Sequence, residues 1–339
     1  MRIIYVSKNM NFYDGAMYQR DLMSELAKKN DVIFYGPGFE NFNPKESIET
    51  TIKKIGGADL LILGHAWLSD LPYDNVDPYP NLRLEDCSLK KIVILNKEYV
   101  NLDSKLEWIR NKSFDFGFSH HHNVKYFQKI SGVNFTHWPF AFNHNLFKTN
   151  KVENKDIDFA FSGILINVNA NYSQAYTRTR VMKKLFNCLS NIPLSKKNIY
   201  KDYKIFWNSI PPSYWQQKIS IYLNKYKYLK DDEYIMLQKR SRVFLNTLSP
   251  GGLVGTRFYE NMASRTLVFC QDSMNIKNMF PSNCYLTFKK DFEDFDEKFK
   301  LSISDSKERN NIVERAFELA VTNHTWEIRV NQLFNSIRL

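Results

Sequence analysis

The sequence lacks any hydrophobic run long enough to cross a membrane. Its longest apolar stretches, such as Leu60–Leu63 and Ile92–Leu95, have the length of strands, whereas a transmembrane helix needs about 20 apolar residues. The N-terminal segment Met1–Val6 becomes polar at Ser7. It is too short for the apolar core of a signal peptide, so it is interpreted as a buried first strand. We therefore expect a cytoplasmic protein without a membrane span.

Cysteine is also scarce. The 339 residues include four cysteines, and none of them has CxxC spacing. Neither a disulfide framework nor a cysteine-ligated zinc site is expected from so few and so scattered thiols. A reducing compartment fits this usage.

Negative charge is in deficit, because 47 Lys and Arg residues face 36 Asp and Glu residues for a net charge of +11. Such a balance serves solubility, and it also attracts phosphorylated substrates or an anionic membrane, where the association would be peripheral. No zinc-finger or RNP-type signature accompanies the charge, so nucleic acid is not an expected partner. Aromatic residues make up 15% of the chain, which favours packed interiors and stacking sites.

What the sequence does have is a regular alternation of apolar strands and amphipathic helices. This alternation predicts parallel sheets covered by helices on both faces. A polar stretch at 148–155 separates two such series. The predicted fold class is α/β, with two Rossmann-like doubly wound domains facing a central cleft. The predicted bounds are 1–147 and 156–322, with a C-terminal helix in 323–339 that packs back toward the first domain. Ligands of such sheets bind beyond the carboxyl ends of the strands.

The segment with the clearest chemistry runs from 245 to 264, where a strand leads through a glycine-rich loop into a helix. Gly255 and Thr256 stand at the helix start, where free N–H groups and the helix dipole favour a phosphate. Arg257 lies in the first turn, a position that suits a cation only when an anion binds there. Glu260, one turn later, could accept hydrogen bonds from a ribose diol. The alternative is a tight glycine turn followed by a surface pair of Arg257 and Glu260.

Three blocks of this sequence resemble glycosyltransferases of the GT-B class, and in particular the CgeB-like group 1 family. They are Arg257–Ala263, His324–Val330 and His137–Phe147. The third resembles a P-x-A-x-D-x-x-x-F pattern, with Asn143 in place of the aspartate. The resemblance is strongest over residues 230–335 and weak in the first domain.

The resemblance implies roles for particular residues. Glu260 would bind the ribose of a nucleotide sugar, and the basic residues Arg178 and Arg180 would neutralise its diphosphate. Gly252 stands where many retaining relatives carry a second glutamate, so a retaining mechanism does not follow. The loop after the first strand, with Asp14, Gly15 and Tyr18, would help to hold the acceptor; an Asp-Gly turn with an N-cap is the structural alternative.

An inverting transfer needs a base at a strand end. By position and by the resemblance, the candidates are Glu98 first, then His65, then Asp14. No metal is expected: the consecutive histidines 120–122 point in different directions and are explained by the start of a helix. Asp156 and Asp158 precede a strand instead of following one.

The resulting hypothesis is a metal-independent transferase that moves a sugar from a nucleotide diphosphate sugar to a hydroxyl of a glycan, lipid-linked or protein acceptor. The nucleotide sugar is a substrate, and no cofactor is expected. Two alternatives remain open, a non-catalytic module that binds nucleotide sugars and a sugar-nucleotide epimerase of the same architecture.

Overall fold

The chain divides into two compact units in the computed structural model. Unit 1 comprises Met1–Pro139 and Trp326–Leu339, and unit 2 comprises Phe140–Thr325. The structure describes residues 1–13, 15–68, 77–149, 155–164, 175–186, 200, 202–210, 215, 218, 219, 222 and 227–337.

Unit 1 is built on a six-stranded parallel sheet with the strand order β2-β1-β3-β4-β5-β6. Its strands are β1 Arg2–Val6, β2 Asp31–Tyr35, β3 Leu60–Leu63, β4 Lys90–Leu95, β5 Phe116–Ser119 and β6 Asn134–His137. The helices between them are α1 Met17–Lys29, α2 Ile48–Lys54, α3 Leu102–Asn111 and α4 Val124–Ser131. The order of the strands reverses direction at β1, as in doubly wound sheets.

Unit 2 contains a five-stranded parallel sheet with the order β11-β10-β9-β7-β8. Its strands are β7 Ile157–Ile164, β8 Ile205–Ile210, β9 Ser241–Asn246, β10 Leu267–Gln271 and β11 Leu286–Phe288. Its labelled helices are α5 His144–Phe147, α6 Ala175–Phe186, α7 Asp231–Arg240, α8 Thr256–Ala263, α9 Met274–Met279, α10 Phe295–Ile303 and α11 Lys307–Asn323. The last helix of the chain, α12 Trp326–Ile337, belongs to unit 1 and packs against α1.

The central strands are buried on both faces, as expected of a parallel sheet covered by helices. Ile3, Ile4 and Val6 in β1 and Val243 and Leu245 in β9 are fully buried. Each unit has its own apolar core, in unit 1 between the sheet and its helices and in unit 2 around a cluster rich in phenylalanine. The predicted fold class, α/β with two Rossmann-like domains, is confirmed.

Several local predictions differ from the structure. The histidines 120–122 do not begin a helix, because α4 starts at Val124. The C-terminal helix predicted in 323–339 is α12, which His324 and Thr325 separate from α11. Strands β6 and β8 were not predicted, since both are short and mix polar with apolar residues.

The boundary between the units falls at Pro139, whereas the sequence predicted one at 147. Residues of the predicted linker interact within unit 2: the Thr149 amide donates to the Ala263 carbonyl, and Lys155 Nζ donates to Ser241 O and to Thr266 Oγ1.

Within the part of the chain that is described, no helix combines the length and the apolar character needed to cross a bilayer.

Candidate functional site

The glycine-rich loop of unit 2 joins β9 to α8, as the sequence pattern predicted. Gly251 and Gly252 have φ values of 75° and 81°, a region that favours glycine. Gly255 is the N-cap of α8 with φ −81°, so its backbone does not require glycine, and no side chain caps the helix. Gly255, Thr256 and Arg257 are half-buried. The start of α8 is therefore open enough for an anion to reach its backbone N–H groups.

Two arginines from different elements converge beside this helix. Arg178 of α6 and Arg257 of α8 lie over the ring of Phe161, with guanidinium carbons 5.8 and 5.7 Å from its centroid. Arg178 Nε donates to Thr247 Oγ1 at 2.6 Å, which fixes the guanidinium near the end of β9. Burial and the nearby charge of Arg257 lower the pKa of Arg178. A bound anion would relieve this repulsion, so the pair is suited to a phosphate group.

A hydrogen-bonded chain links Arg257 to Glu260. Arg257 Nε donates to the Tyr234 hydroxyl at 3.0 Å, and this hydroxyl lies 3.4 Å from Glu260 Oε2. Burial raises the pKa of Tyr234 to about 12, so the phenol keeps its proton for the carboxylate. Gln238 Nε2 also donates to Glu260 Oε2, at 3.2 Å. Glu260 itself is 4% exposed, and its carboxylate is oriented by two side chains of α7.

The structure does not bring Arg180 into this group. Its guanidinium donates to the carbonyls of Lys290 and Asp291 and stacks over Phe292. Asp156 accepts from Arg240, and Asp158 accepts from the Lys204 amide. Both carboxylates are thus engaged in contacts at the amino end of β7, away from the carboxyl ends of the strands, where ligands of such sheets bind.

In unit 1, His65 and Glu98 come together with Ser119 and His120 at the carboxyl ends of β3, β4 and β5. Ser119 Oγ donates to Glu98 Oε1 at 2.6 Å, and His65 Nε2 lies 2.6 Å from His120 Nε2. His65 is fully buried and Glu98 is 4% exposed. Burial raises the pKa of Glu98 and lowers that of His65 to about 3. Of the two, Glu98 is therefore the better proton acceptor near neutral pH.

The protons of the histidine pair can be assigned from its neighbours. His120 Nδ1 lies 2.7 Å from the Trp138 carbonyl oxygen, which can only accept, so Nδ1 carries the hydrogen. Burial lowers the pKa of His120 well below its usual value, so Nε2 of this neutral ring accepts from His65 Nε2. The lone pair of His65 then lies on Nδ1, for which the described residues offer no hydrogen-bond partner.

Of the residues predicted to hold an acceptor, Tyr18 lies beside this pair. The Tyr18 ring contacts His65 edge-on at 5.5 Å, and the Tyr18 hydroxyl accepts from Asn96 Nδ2 at 2.7 Å. Gly15 is exposed with φ 76°, and a Cβ there would meet nothing within 4 Å. Asp14 lies outside the described residues.

Sequence reasoning missed Tyr234, Thr247 and Gln238, which orient the charged groups of unit 2, and Ser119, which binds Glu98. All four are polar residues within or beside regular elements. Their contacts join positions that are distant in the sequence, so no local pattern marks them.

Part of the sequence of unit 2 matches a model of a known protein family. Residues 193–335 match the family model described as "Glycosyl transferase-like", a region that includes β9, the glycine-rich loop and α8. No curated protein matches the chain.

The whole chain resembles several solved structures. HepE from Anabaena, crystallised with UDP, has 11% identity and a TM-score of 0.64, with 99% of each chain covered. Sucrose-phosphate synthase from Thermosynechococcus elongatus has 12% identity and a TM-score of 0.63, covering 100% of this chain and 98% of that one. A glycosyltransferase from Rickettsia africae has 12% identity and a TM-score of 0.61, covering 99% and 97%. The fold is that of GT-B proteins, and the resemblance to group 1 glycosyltransferases is confirmed.

Proposed function

We propose that this protein is a glycosyltransferase that uses a nucleotide diphosphate sugar. The observation that carries the proposal is the convergence of Arg178 and Arg257 on Phe161, next to the uncapped start of α8. Two guanidiniums and a helix N-terminus match the charge and geometry of a diphosphate. The family match over residues 193–335 and the binding of UDP and UDP-glucose by the structurally similar HepE support a nucleotide sugar as the donor.

In this proposal the residues of unit 2 stabilise the departing diphosphate without a metal. Arg178 and Arg257 would neutralise the charge that develops on the leaving group, and Glu260, held by Tyr234 and Gln238, would bind the ribose hydroxyls. Glu98 of unit 1 would deprotonate the acceptor hydroxyl, since its raised pKa suits a general base. The acceptor would be a hydroxyl of a glycan, lipid-linked or protein molecule.

Calorimetric titration with UDP, GDP and UDP-glucose tests the donor site. Arg178→Ala and Arg257→Ala should each weaken nucleotide binding by about tenfold to a hundredfold, the value of one or two charge-assisted hydrogen bonds. Arg240→Ala is the matched control, because it removes the same charge from an exposed pair with Asp156. Unchanged affinity in both site variants would refute the assignment.

Turnover assays with the same proteins separate the function from its alternatives. Glu98→Gln should abolish transfer while nucleotide binding persists, and EDTA should not reduce the wild-type rate. Nucleotide binding without transfer or donor hydrolysis would favour a sensor. Interconversion of sugar nucleotides without an acceptor would favour an epimerase.

A further inference from the structure

A buried lysine of unit 1 has no role in the site as described so far. Lys105 is the fourth residue of α3 and is 1% exposed. Burial of an ammonium group is costly unless hydrogen bonds replace the water that it loses. A cation near the start of a helix is further disfavoured by the helix dipole. The position of this lysine therefore needs an explanation other than surface charge.

Lys105 Nζ donates to two consecutive carbonyls of the loop at 96–101, which joins β4 to α3. The acceptors are the Asn96 carbonyl at 3.3 Å and the Lys97 carbonyl at 3.1 Å, and Glu98 is the next residue in the chain. Asn96 is also held by α1, because its Nδ2 donates to the Tyr18 hydroxyl at 2.7 Å. The ammonium thus fixes the backbone directly before the carboxylate.

The loop at 96–101 contains two non-glycine residues in the left-handed region, Lys97 with φ 49° and Asn101 with φ 47°. This conformation is unfavourable for residues with a Cβ and persists where surrounding contacts hold it. Lys105 Nζ and the Val100 amide both donate to the Lys97 carbonyl, and the Lys97 amide donates to Asn96 Oδ1 at 2.9 Å. Backbone strain is therefore held in place on both sides of Glu98.

The loop brings Glu98 to the carboxyl end of the sheet. Its Oε1 accepts from Ser119 Oγ at 2.6 Å, whereas Oε2 is buried without a hydrogen-bond partner among the described residues. Such a carboxylate needs a positive charge nearby to stay ionised. Burial raises the pKa of Glu98, and the charge of Lys105 lowers it.

The other titratable groups at this end of the sheet do not supply a positive charge. They are His65 after β3, His120 after β5 and Tyr18 of α1. Burial lowers the pKa of both histidines, so their rings are neutral near pH 7, and a phenol is never a cation. Lys105 is therefore the cation that the structure places against Glu98.

We propose that Lys105 is a positioning residue for Glu98: its ammonium holds the strained loop that carries the carboxylate and places a positive charge beside it. The inference rests on the proposed function, in which Glu98 is the base. In the transfer step the acceptor oxygen bonds to the anomeric carbon, the bond from that carbon to the diphosphate breaks, and the acceptor proton passes to Glu98. Lys105 keeps its own proton throughout.

Carbon-13 NMR titration of the Glu98 carboxyl tests the inference without reference to turnover. The full-length protein is labelled with [5-13C]glutamate, and Glu98→Gln identifies the signal. Lys105→Met should raise the pKa of this carboxyl by about one unit or more, because an opposite charge at close range accounts for about 1–3 units. Hydrogen exchange of the Val100 amide should become faster in the same variant, since the loop is held less firmly.

The rate of transfer should change with pH in a corresponding way. In Lys105→Met the acidic limb of kcat should move to higher pH, so that on this limb the rate at a given pH falls by about tenfold or more. The plateau at high pH should also fall, because the carboxylate is less well placed, while the KM for the nucleotide sugar stays within about twofold. Lys105→Gln keeps a hydrogen-bond donor without the charge, so it should shift the limb equally and retain a higher plateau.

Lys91→Met is the matched control. Lys91 is 4% exposed, and its Nζ also donates to two backbone carbonyls, those of Leu84 at 3.0 Å and Lys112 at 2.9 Å. It lies at the amino end of β4, whereas Glu98 follows the carboxyl end of the same strand. Its replacement should leave the titration of Glu98 and the pH dependence of kcat unchanged. Circular dichroism and urea unfolding check that every variant is folded.

An unchanged titration of Glu98 in the folded Lys105 variants would overturn the inference, as would an equal change in Lys91→Met. A raised pKa of Glu98 with an unaltered pH dependence of transfer would support the placement of Lys105 and would contradict the role of Glu98 as the base. If the wild type transfers no sugar, the proposed function fails, and the NMR titration alone decides whether Lys105 positions this carboxylate.

Discussion

Single residues show how closely the glycine-rich loop is packed. A Cβ at Gly252 would lie 2.1 Å from Asn275 Nδ2, and this amide donates to the Gly252 carbonyl at 2.9 Å. The resemblance described above predicts that position 252 corresponds to the second glutamate of many retaining relatives. In this chain the amide of Asn275 fills the adjoining space, so a larger residue at 252 requires the Asn275 side chain to move and to give up its hydrogen bond to the Gly252 carbonyl.

Gly252→Ala should therefore lower stability for two separable reasons, the positive φ and the contact with Asn275. Gly15→Ala is the control for the first, since Gly15 has a similar φ of 76° without a neighbour within 4 Å. We expect a loss of about 1 kcal/mol at Gly15 and clearly more at Gly252.

Asn275→Ala in the Gly252→Ala background should recover the difference, because it removes the clashing amide. Denaturant unfolding of the four proteins of this double-mutant cycle measures the coupling. Strict additivity of the two substitutions would contradict the steric explanation.

Between elements, the histidine pair joins the ends of β3 and β5. Both rings are buried as neutral species, and their pKa values are lowered by burial, that of His65 to about 3. In the unfolded chain the same groups titrate near pH 6.5. The unfolded state therefore binds more protons in this interval, and acid favours unfolding.

The free energy of unfolding should be fully retained above about pH 6.5 and should fall as the pH drops below it. By about pH 5 the loss should reach roughly 2 kcal/mol per histidine. Chemical denaturation across this range, comparing the wild type with the double variant His65→Asn and His120→Asn, measures the effect.

The free energy of unfolding of the double variant should depend less steeply on pH than that of the wild type. The raised pKa of Glu98 acts in the opposite direction in both proteins, so the difference between them isolates the histidines. His144→Asn removes an exposed histidine and should leave the dependence unchanged. Equal slopes in all three proteins would exclude the pair as the source.

Across the whole molecule, the chain leaves unit 1 at Pro139 and returns to it with α12. The helix is tied in by a hydrogen bond from Trp138 Nε1 to the Arg329 carbonyl at 2.9 Å and by Arg329 Nε to the Pro139 carbonyl at 2.7 Å. Trp326, Val330 and Leu333 are buried within unit 1. The stability of the first sheet thus depends on the last residues of the sequence.

Leu333→Ala should lower the stability of unit 1 by about 3 kcal/mol through the cavity that it leaves. Hydrogen exchange should show reduced protection in β1 to β6 and nearly unchanged protection in β7 to β11. Ser336→Ala, at an exposed position of the same helix, is the control. An equal loss of protection in both sheets would show that the units unfold together.

The sequence predicted the strand and helix series well where periodicity was strong, as in β1, α1 and the segment from β9 to α8. It also identified Arg257 and Glu260 as candidate site residues, because the glycines of the loop and the charged first turn of the helix form a local pattern. Arg178 and Arg180, only two residues apart, could not be told apart. Their directions on α6 differ, and only the packing of α6 beside β9 and β11 determines which one meets Thr247.

The amino-acid sequence by itself determined the α/β class, the succession of strand, glycine-rich loop and helix from β9 to α8, and the position of Glu98 shortly after a strand, since each depends on spacing within a few residues. Only the tertiary structure decided that Tyr234 links Arg257 to Glu260, that His65 pairs with His120, and that Arg180 turns away to the carbonyls of Lys290 and Asp291. These contacts join residues far apart in the chain, and they form only when several elements pack at once.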